Sequence, residues 1–228
     1  MSADTDGHAA SREPNFLTAR VERRLLRAIA ARLPRWVKPD HLTAVGVLAA
    51  LGVAAAYALS NESSLWLWAA SALLVAQWLG DSLDGTLARV RRIERPRYGY
   101  YLDHIVDAVA TIAIGAGLGL SPHMLLSVGL GVAVVYLLLS INVYLEAQTL
   151  GRFGIGYGRF GPTEARLALI AANSAVALGA GLSFQLLGVG FTGLDVVGLA
   201  AIAVMLAGLI GRVARNLRAL AALEPAAR

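Results

Sequence analysis

The chain has 228 residues, of which 57% are hydrophobic and 15% are charged, and its formal net charge is +5. Soluble domains carry about 25% charged residues, so the composition excludes an ordinary soluble domain and indicates a polytopic membrane protein. Cysteine is absent, which excludes disulfides and thiol chemistry.

The amino-terminal region divides into a tail and a helix. Residues 1–14 are polar, lack the apolar core of a cleavable signal peptide, and predict a disordered tail. Between 15 and 37, apolar residues recur every four positions while arginines occupy the other faces. This pattern predicts a basic amphipathic helix, either lying on an anionic leaflet or packed on the protein itself, and both can hold.

The rest of the chain predicts an all-α membrane domain of six transmembrane helices at residues 38–216, followed by a cytoplasmic tail at 217–228. Trp66 and Trp68 fit an aromatic belt at one interface. The Gly-rich stretch at 188–193 supplies one of the turns. The spans are expected at 42–60, 65–90, 99–120, 124–149, 163–187 and 194–214.

Basic residues predict the orientation. All 20 Lys and Arg fall on one side of the six-span arrangement, and basic residues concentrate on the cytoplasmic side of membranes. Both termini and the loop at 89–97 are therefore expected in the cytoplasm, with the protein in the cytoplasmic membrane. An odd number of spans would break this partition.

Two pairs of aspartates lie where spans two and three approach the cytoplasm. Asp81 and Asp84 are three residues apart, and Asp103 and Asp107 are four apart, so each pair lies on one face of a helix. Four carboxylates need their charge cancelled to stay ionised together. Oxygen ligands suit hard divalent cations, so the pattern predicts a metal site for Mg²⁺ or Mn²⁺.

Small and basic residues follow the first pair. Gly85 and Ala88 leave room for a ligand near the helix backbone, and Arg89 is suited to clamp a diphosphate. An alternative in which arginines merely neutralise the aspartates explains neither the spacing nor the small residues. The segment therefore predicts a site for a metal-bound diphosphate.

These residues resemble a known family signature. Asp-x2-Asp-Gly-x2-Ala-Arg, nine residues, then Gly-x3-Asp-x3-Asp, with Gly99 opening the second half, is similar to the motif of the class I CDP-alcohol phosphotransferase (CDP-alcohol phosphatidyltransferase) family. The resemblance extends to Pro39-Asp40-x-Leu42-Thr43 and most of the chain beyond residue 38. It implies displacement of CMP from a CDP-linked donor by an alcohol hydroxyl.

The resemblance also implies residue roles. Asp81 and Asp103 would bridge two divalent cations, Asp84 would hold one of them, and Asp107 would hold the other. Asp107 would also remove the proton of the acceptor hydroxyl. The donor's nucleotide and diphosphate would contact a wider set of residues: Asp40, Thr43, Asp81, Gly85, Ala88 and Arg89.

The acceptor is less defined. His104 and Gly161-Pro162-Thr163-Glu164 resemble the aminoalcohol branch, which makes choline and ethanolamine lipids. A phosphatidylglycerol-phosphate or phosphoinositol-type synthase is the alternative, and 161–164 also fits an ordinary helix start. Arg152, Arg159 and Arg166 either bind an acceptor phosphate or lipid headgroups, or serve topology alone.

The expected partners are a CDP-linked donor (CDP-diacylglycerol or a CDP-headgroup), an alcohol acceptor, membrane lipids and a second copy in a homodimer, with no nucleic acid. A rival class is a cation- or proton-coupled transporter, because paired intramembrane carboxylates also form ion relays. That rival predicts broken helices and an internal repeat. The sequence contains no convincing repeat.

Overall fold

The computed structural model describes residues 19–151 and 161–224. Within these ranges the chain is mostly helical, as predicted, but it also contains a β-hairpin that the all-α prediction omitted. The elements are α1 (Ala19–Arg32), α2 (Pro39–Leu59), α3 (Trp66–Arg91), α4 (Pro96–Gly119), α5 (Leu126–Leu150), α6 (Pro162–Ala177), β1 (Ser183–Leu186), β2 (Val189–Thr192) and α7 (Gly193–Leu223). The predicted tail at 1–14 lies outside the described residues, and α7 extends into the segment predicted as the carboxyl-terminal tail.

Helix α1 packs on the carboxyl-terminal half of α3. Leu26 and Ala30 are buried together with Leu83 and Leu87. Arg91 at the end of α3 donates hydrogen bonds to four carbonyls after α1, those of Leu33, Pro34, Arg35 and Val37. These bonds fix the turn between α1 and α2 against α3, while contact of α1 with lipid stays a prediction.

Among the residues that the structure describes, four helices, α2, α4, α5 and α7, are long and apolar enough to cross a membrane. The motif helix α3 has 26 residues, which is a length of about 39 Å and exceeds the hydrocarbon thickness of about 30 Å. Helix α6 has 16 residues, or about 24 Å. The chain is therefore an integral membrane protein, and the count of six spans stays a prediction.

The predicted fifth span at 163–187 is wrong in its second half. Helix α6 ends at Ala177, Gly179 follows at a φ of +90°, and the chain then forms the hairpin, turning at Leu187 and Gly188, both at positive φ. Glycine adopts such a backbone at little cost. Hydropathy does not distinguish an apolar hairpin from a helix, which is why the span was expected to continue.

Glycines bring the helices of the site close together. A Cβ built at Gly80 of α3 would lie 2.6 Å from the backbone nitrogen of Gly46 and 2.7 Å from the carbonyl oxygen of Leu42, both in α2. Gly115 of α4 faces the carbonyl of Gly129 in α5 in the same manner. Side chains at these positions would force the helices apart.

Buried polar contacts connect the same bundle. At the end opposite the acidic motif, the Tyr57 hydroxyl donates to Asn173 Oδ1 at 3.1 Å and Asn173 Nδ2 donates to Ser71 Oγ at 3.2 Å, which joins α2, α3 and α6. Glu146 of α5 forms an ion pair with Arg212 of α7. The buried polar groups of these two contacts thereby gain partners, as a low-dielectric interior requires.

Candidate active site

The acidic motif lines an open cleft between α2, α3 and α4. Its walls come from one face of each helix, because residues three or four apart share a face. The lining residues are Thr43, Gly46, Val47, Gln77, Asp81, Asp84, Asp103, Val106, Asp107 and Ala110. The close α2–α3 approach at Gly46 and Gly80 brings Thr43 to the acidic side of the cleft.

Three of the four predicted metal ligands converge. One carboxylate oxygen from each of Asp81, Asp103 and Asp107 lies within 4.8 Å of the others. Asp81 comes from α3 and the other two come from α4. Three carboxylate oxygens at this spacing, with no soft ligand among them, fit a hard divalent cation such as Mg²⁺ or Mn²⁺.

Asp84 lines the same cleft but stands apart from this cluster. Its Oδ2 accepts a hydrogen bond of 2.6 Å from the Thr43 hydroxyl, and its Oδ1 accepts one of 2.5 Å from the backbone N–H of Gly85. Both carboxylate oxygens are therefore held by donors, and Thr43 positions Asp84 across the α2–α3 contact.

Arg166 reaches the metal-ligand cluster itself. Its Nη2 lies 2.8 Å from Asp81 Oδ2, and its Nε donates to Gln77 Oε1 at 2.7 Å. The side chains of Arg166 and Asp81 are only 16% and 25% exposed. The sequence assigned Arg166 to an acceptor phosphate, to lipid headgroups or to topology, whereas in the structure its guanidinium offsets part of the carboxylate charge directly.

The remaining motif residues lie toward the end of α3 and the start of α4. Arg89 is exposed, and its Nη2 donates to the Thr86 hydroxyl at 3.2 Å. A Cβ built at Gly85 would lie 3.3 Å from Arg89 Nη1, so the guanidinium passes over this glycine. A Cβ at Gly99 would meet nothing within 4 Å, and Ala88 lies one turn beyond Asp84.

Asp40 does not line the cleft. Its two carboxylate oxygens accept hydrogen bonds of 2.6 and 2.8 Å from Arg95 Nη2, and the Arg95 guanidinium stacks 3.9 Å from the centroid of the Tyr98 ring. The predicted contact of Asp40 with a nucleotide therefore stays a prediction, and the pair joins the start of α2 to the loop before α4.

His104 lies beside the acidic cluster within a group of aromatic rings. Its ring centroid lies 4.1 Å from that of Tyr100 and 4.4 Å from that of Tyr144. Its Nδ1 is 3.5 Å from Asp103 Oδ2, which is too long for a good hydrogen bond. The two tyrosines fix the position of the imidazole next to a predicted metal ligand.

The segment at 161–164 forms the start of α6. Pro162 begins the helix, and Glu164 accepts a hydrogen bond of 3.0 Å from the backbone N–H of Gly161. This contact matches the interpretation as a helix start. Arg152 and Arg159 lie outside the described residues.

Two residues of this region were missed from the sequence. Gln77 lines the cleft one turn before Asp81, and a lone amide in an apolar span was the available signal. Glu22 of α1 accepts hydrogen bonds from Trp78 Nε1 at 3.0 Å and from the Thr163 hydroxyl at 3.3 Å, which ties α1 to α3 and α6. In the sequence Glu22 is one charge among many in a basic helix.

The chain matches a known protein family. A family model described as CDP-alcohol phosphatidyltransferase matches residues 36–210. This range contains the whole acidic motif, helices α2 to α6 and much of α7. No curated protein matches the chain significantly. Because the match covers more than half of its length, the chain belongs to the CDP-alcohol phosphatidyltransferase family.

Proposed function

We propose that this protein transfers a phospho-alcohol or phosphatidyl group from a CDP-linked donor to an alcohol hydroxyl and releases CMP. The family makes it a membrane transferase of phospholipid biosynthesis. The observation that carries the proposed site is the convergence of Asp81, Asp103 and Asp107 from two helices in one open cleft.

The proposed cofactor is a pair of divalent cations, Mg²⁺ or Mn²⁺. Asp81 and Asp103 would be shared between them, and Asp84 and Asp107 would each serve one. Three clustered carboxylates need more positive charge than the single Arg166 guanidinium in contact with Asp81 supplies. When bound, the cations would neutralise charge that develops on the transferred phosphorus and on departing CMP.

The remaining steps fall to the chain's own side chains. In the proposed reaction, Asp107 accepts the proton of the acceptor hydroxyl, and the hydroxyl oxygen forms a bond to the donor phosphorus. The bond between that phosphorus and the CMP oxygen breaks, and CMP leaves with its electron pair. A carboxylate performs the first step when the hydroxyl lies within about 2.6–3.2 Å.

We assign the donor to the α2–α3 side of the cleft. Gly85 and Ala88 leave the backbone accessible, and the Arg89 guanidinium passes over Gly85 at the exposed end of the motif, where it can clamp a diphosphate. Thr43 lines the cleft from α2. Asp40 lies one turn before Thr43 and forms an ion pair with Arg95. We assign Asp40 to the nucleotide pocket.

We assign the acceptor to the α4–α6 side, with an aminoalcohol headgroup as the preferred class. His104 stands beside Asp103 between two tyrosine rings. Arg166 reaches the cluster from α6 and is proposed to engage an anionic group once cations replace it at Asp81. Arg152, Arg159 and Glu164 complete the proposed acceptor and headgroup set.

The experiment that tests this function is a CMP-release screen of the purified protein. CDP-diacylglycerol, CDP-choline and CDP-ethanolamine are each combined with glycerol phosphate, inositol, inositol phosphate and diacylglycerol, with Mg²⁺ or Mn²⁺. We expect CMP only with a matched donor and acceptor. Release with CDP-choline or CDP-ethanolamine plus diacylglycerol supports the aminoalcohol class, and release with CDP-diacylglycerol and a polyol supports the alternative. No CMP from any pair by a folded protein contradicts the proposal.

A further inference from the structure

The hairpin formed by β1 and β2 lies at the end of the bundle opposite the acidic cleft. Asn173 accepts a hydrogen bond from the Tyr57 hydroxyl and donates one to Ser71, and these bonds hold the carboxyl-terminal part of α6 level with the turn between α2 and α3. The hairpin begins a few residues after α6 ends, so it lies near the same end of the bundle. Asp195, fully buried at the start of α7, accepts hydrogen bonds from the backbone N–H groups of Leu125 and Thr192, so the hairpin is also tied to the α4–α5 turn.

This hairpin exposes apolar side chains. No charged residue occurs from Leu167 to Leu194. At the hairpin tip, Leu187 is 97% exposed, and Leu186 and Val189 beside it are also exposed. A contiguous apolar surface of this kind on a turn marks an interaction site rather than a solvated loop.

The neighbouring α2–α3 turn differs in composition from the hairpin. The α2–α3 turn carries Asn61 and Glu62, and Trp66 and Trp68 follow it at the predicted aromatic belt. A two-stranded hairpin leaves its outer backbone groups unpaired, which excludes it from the hydrocarbon core. The headgroup region supplies water for those groups and an apolar boundary for the side chains.

We propose that the β1–β2 hairpin is a membrane-interface anchor whose tip side chains, Leu186, Leu187 and Val189, enter the lipid leaflet on the side opposite the acidic cleft. The partner is the bilayer surface. This surface contacts neither the donor nor the acceptor, so the inference is independent of the proposed reaction.

The test uses single cysteines, because the chain has none of its own. Leu187→Cys and, as the matched control in the polar turn, Glu62→Cys are labelled with a polarity-sensitive fluorophore. The proteins are placed in vesicles of phosphatidylcholine and phosphatidylglycerol. Fluorescence quenching by iodide in the aqueous phase is compared with quenching by a spin label attached to the lipid acyl chain near the headgroup. Leu186→Cys repeats the measurement should Leu187→Cys fail to fold.

At position 187 we expect blue-shifted emission, quenching by the spin label in the lipid and protection from quenching by iodide. At position 62 we expect the reverse. Water-like emission and equal iodide quenching at both positions would overturn the proposal. Protection at 187 that grows with protein density while the lipid-borne label has no effect would also overturn it, because a second copy would then cover the hairpin.

Discussion

At the residue scale, Asp81 and Asp107 belong to one carboxylate cluster but have different neighbours. Asp81 pairs with Arg166 and lies on α3, one turn after Gln77. Asp107 lies on α4 in the same cleft, and no hydrogen bond or ion pair to its carboxylate is found within residues 19–151 and 161–224. A carboxylate with its oxygens uncommitted is the better proton acceptor of the two.

Asp107→Asn keeps the size of the side chain and one oxygen ligand but removes the basic site. We expect CMP release at saturating donor to fall by about 10²–10⁴-fold or more, while donor affinity survives in part. Asp81→Asn is the matched variant, and it should lose donor binding together with rate. CMP release and donor binding are measured on both proteins.

Normal turnover of Asp107→Asn at saturating donor would show that the assigned base is wrong. Equal losses of binding and rate in both variants would indicate that the carboxylates act as one metal cage with no separate base.

Arg166 gives a second residue-scale prediction. Arg166→Gln leaves the largely buried Asp81 carboxylate without its cation, and for this partly exposed pair we expect the free energy of unfolding to fall by about 1–3 kcal/mol. Added Mn²⁺ restores positive charge at Asp81. Mn²⁺ should therefore raise the melting temperature more in Arg166→Gln than in the unmodified protein.

The matched control is Arg166→Lys, which keeps the charge and should respond to Mn²⁺ nearly as the unmodified protein does. Equal Mn²⁺ stabilisation of Arg166→Gln and the unmodified protein would contradict a role for Arg166 as the counter-charge of Asp81. Thermal unfolding in one detergent, with and without Mn²⁺, provides the measurement.

Helical spacing alone places Asp103 and Asp107 on one face, and the structure brings them together with Asp81, while their role as metal ligands stays a prediction. The sequence did not predict the contact of Arg166 with Asp81, two residues separated by 85 positions. Such a contact depends on how α6 packs on α3, and local periodicity carries no information about that packing.

At the element scale, the cleft depends on the close approach of α2 and α3. Gly80→Ala would place a Cβ 2.6 Å from the backbone nitrogen of Gly46, so one helix must move. We expect the free energy of unfolding to fall by about 1–3 kcal/mol. Displacement of α2 would also separate Thr43 from Asp84, so CMP release should fall as well.

Gly211→Ala in α7 is the matched control. The nearest atom to a Cβ built there is Arg215 Nη1 at 3.8 Å, and alanine is favoured over glycine in a helix by about 1 kcal/mol. It should be neutral or stabilising in the same unfolding assay. Equal stability of Gly80→Ala and the unmodified protein would contradict the proposed α2–α3 contact.

Helices were more predictable than the segment that follows α6. Long apolar runs bounded by polar turns predicted α2, α4, α5 and α7 within a few residues, with α7 continuing beyond its expected end. The run at 163–187 is also largely apolar, yet Gly179 at a φ of +90° ends the helical segment and the chain continues as strands. The stacked pair Phe184–Phe191 across the hairpin is a tertiary feature without a local signal.

At the scale of the whole molecule, the acidic cleft and the hairpin lie at opposite ends of the bundle. The loop after α3 carries the basic residues, and the turn after α2 carries none. Positive residues favour the cytoplasmic side, so we propose that the cleft and both termini face the cytoplasm. The apolar outer surface of α7, including Val204 and Ile210, is available to lipid and to the second subunit of the proposed homodimer.

Two exposed glutamates at opposite ends test this orientation. Glu94→Cys in the loop after α3 should react with a membrane-impermeant maleimide only after the membrane is permeabilised and the cytoplasmic face becomes accessible. Glu62→Cys, in the turn after α2, should react from the exterior of intact cells. The reverse pattern would show that the proposed topology is inverted. Labelling of both positions from one face would contradict an odd number of membrane crossings between them.

The most direct test of the proposed chemistry is the metal dependence of CMP release. The purified protein is stripped of metal, metal removal is verified, and CMP release is measured with its matched donor and acceptor while Mg²⁺ or Mn²⁺ is titrated. The clustered carboxylates would otherwise repel the donor's diphosphate, so we predict no release in excess chelator and full recovery on addition of the cation. Full turnover in excess chelator would contradict a metal-dependent transferase at Asp81, Asp103 and Asp107.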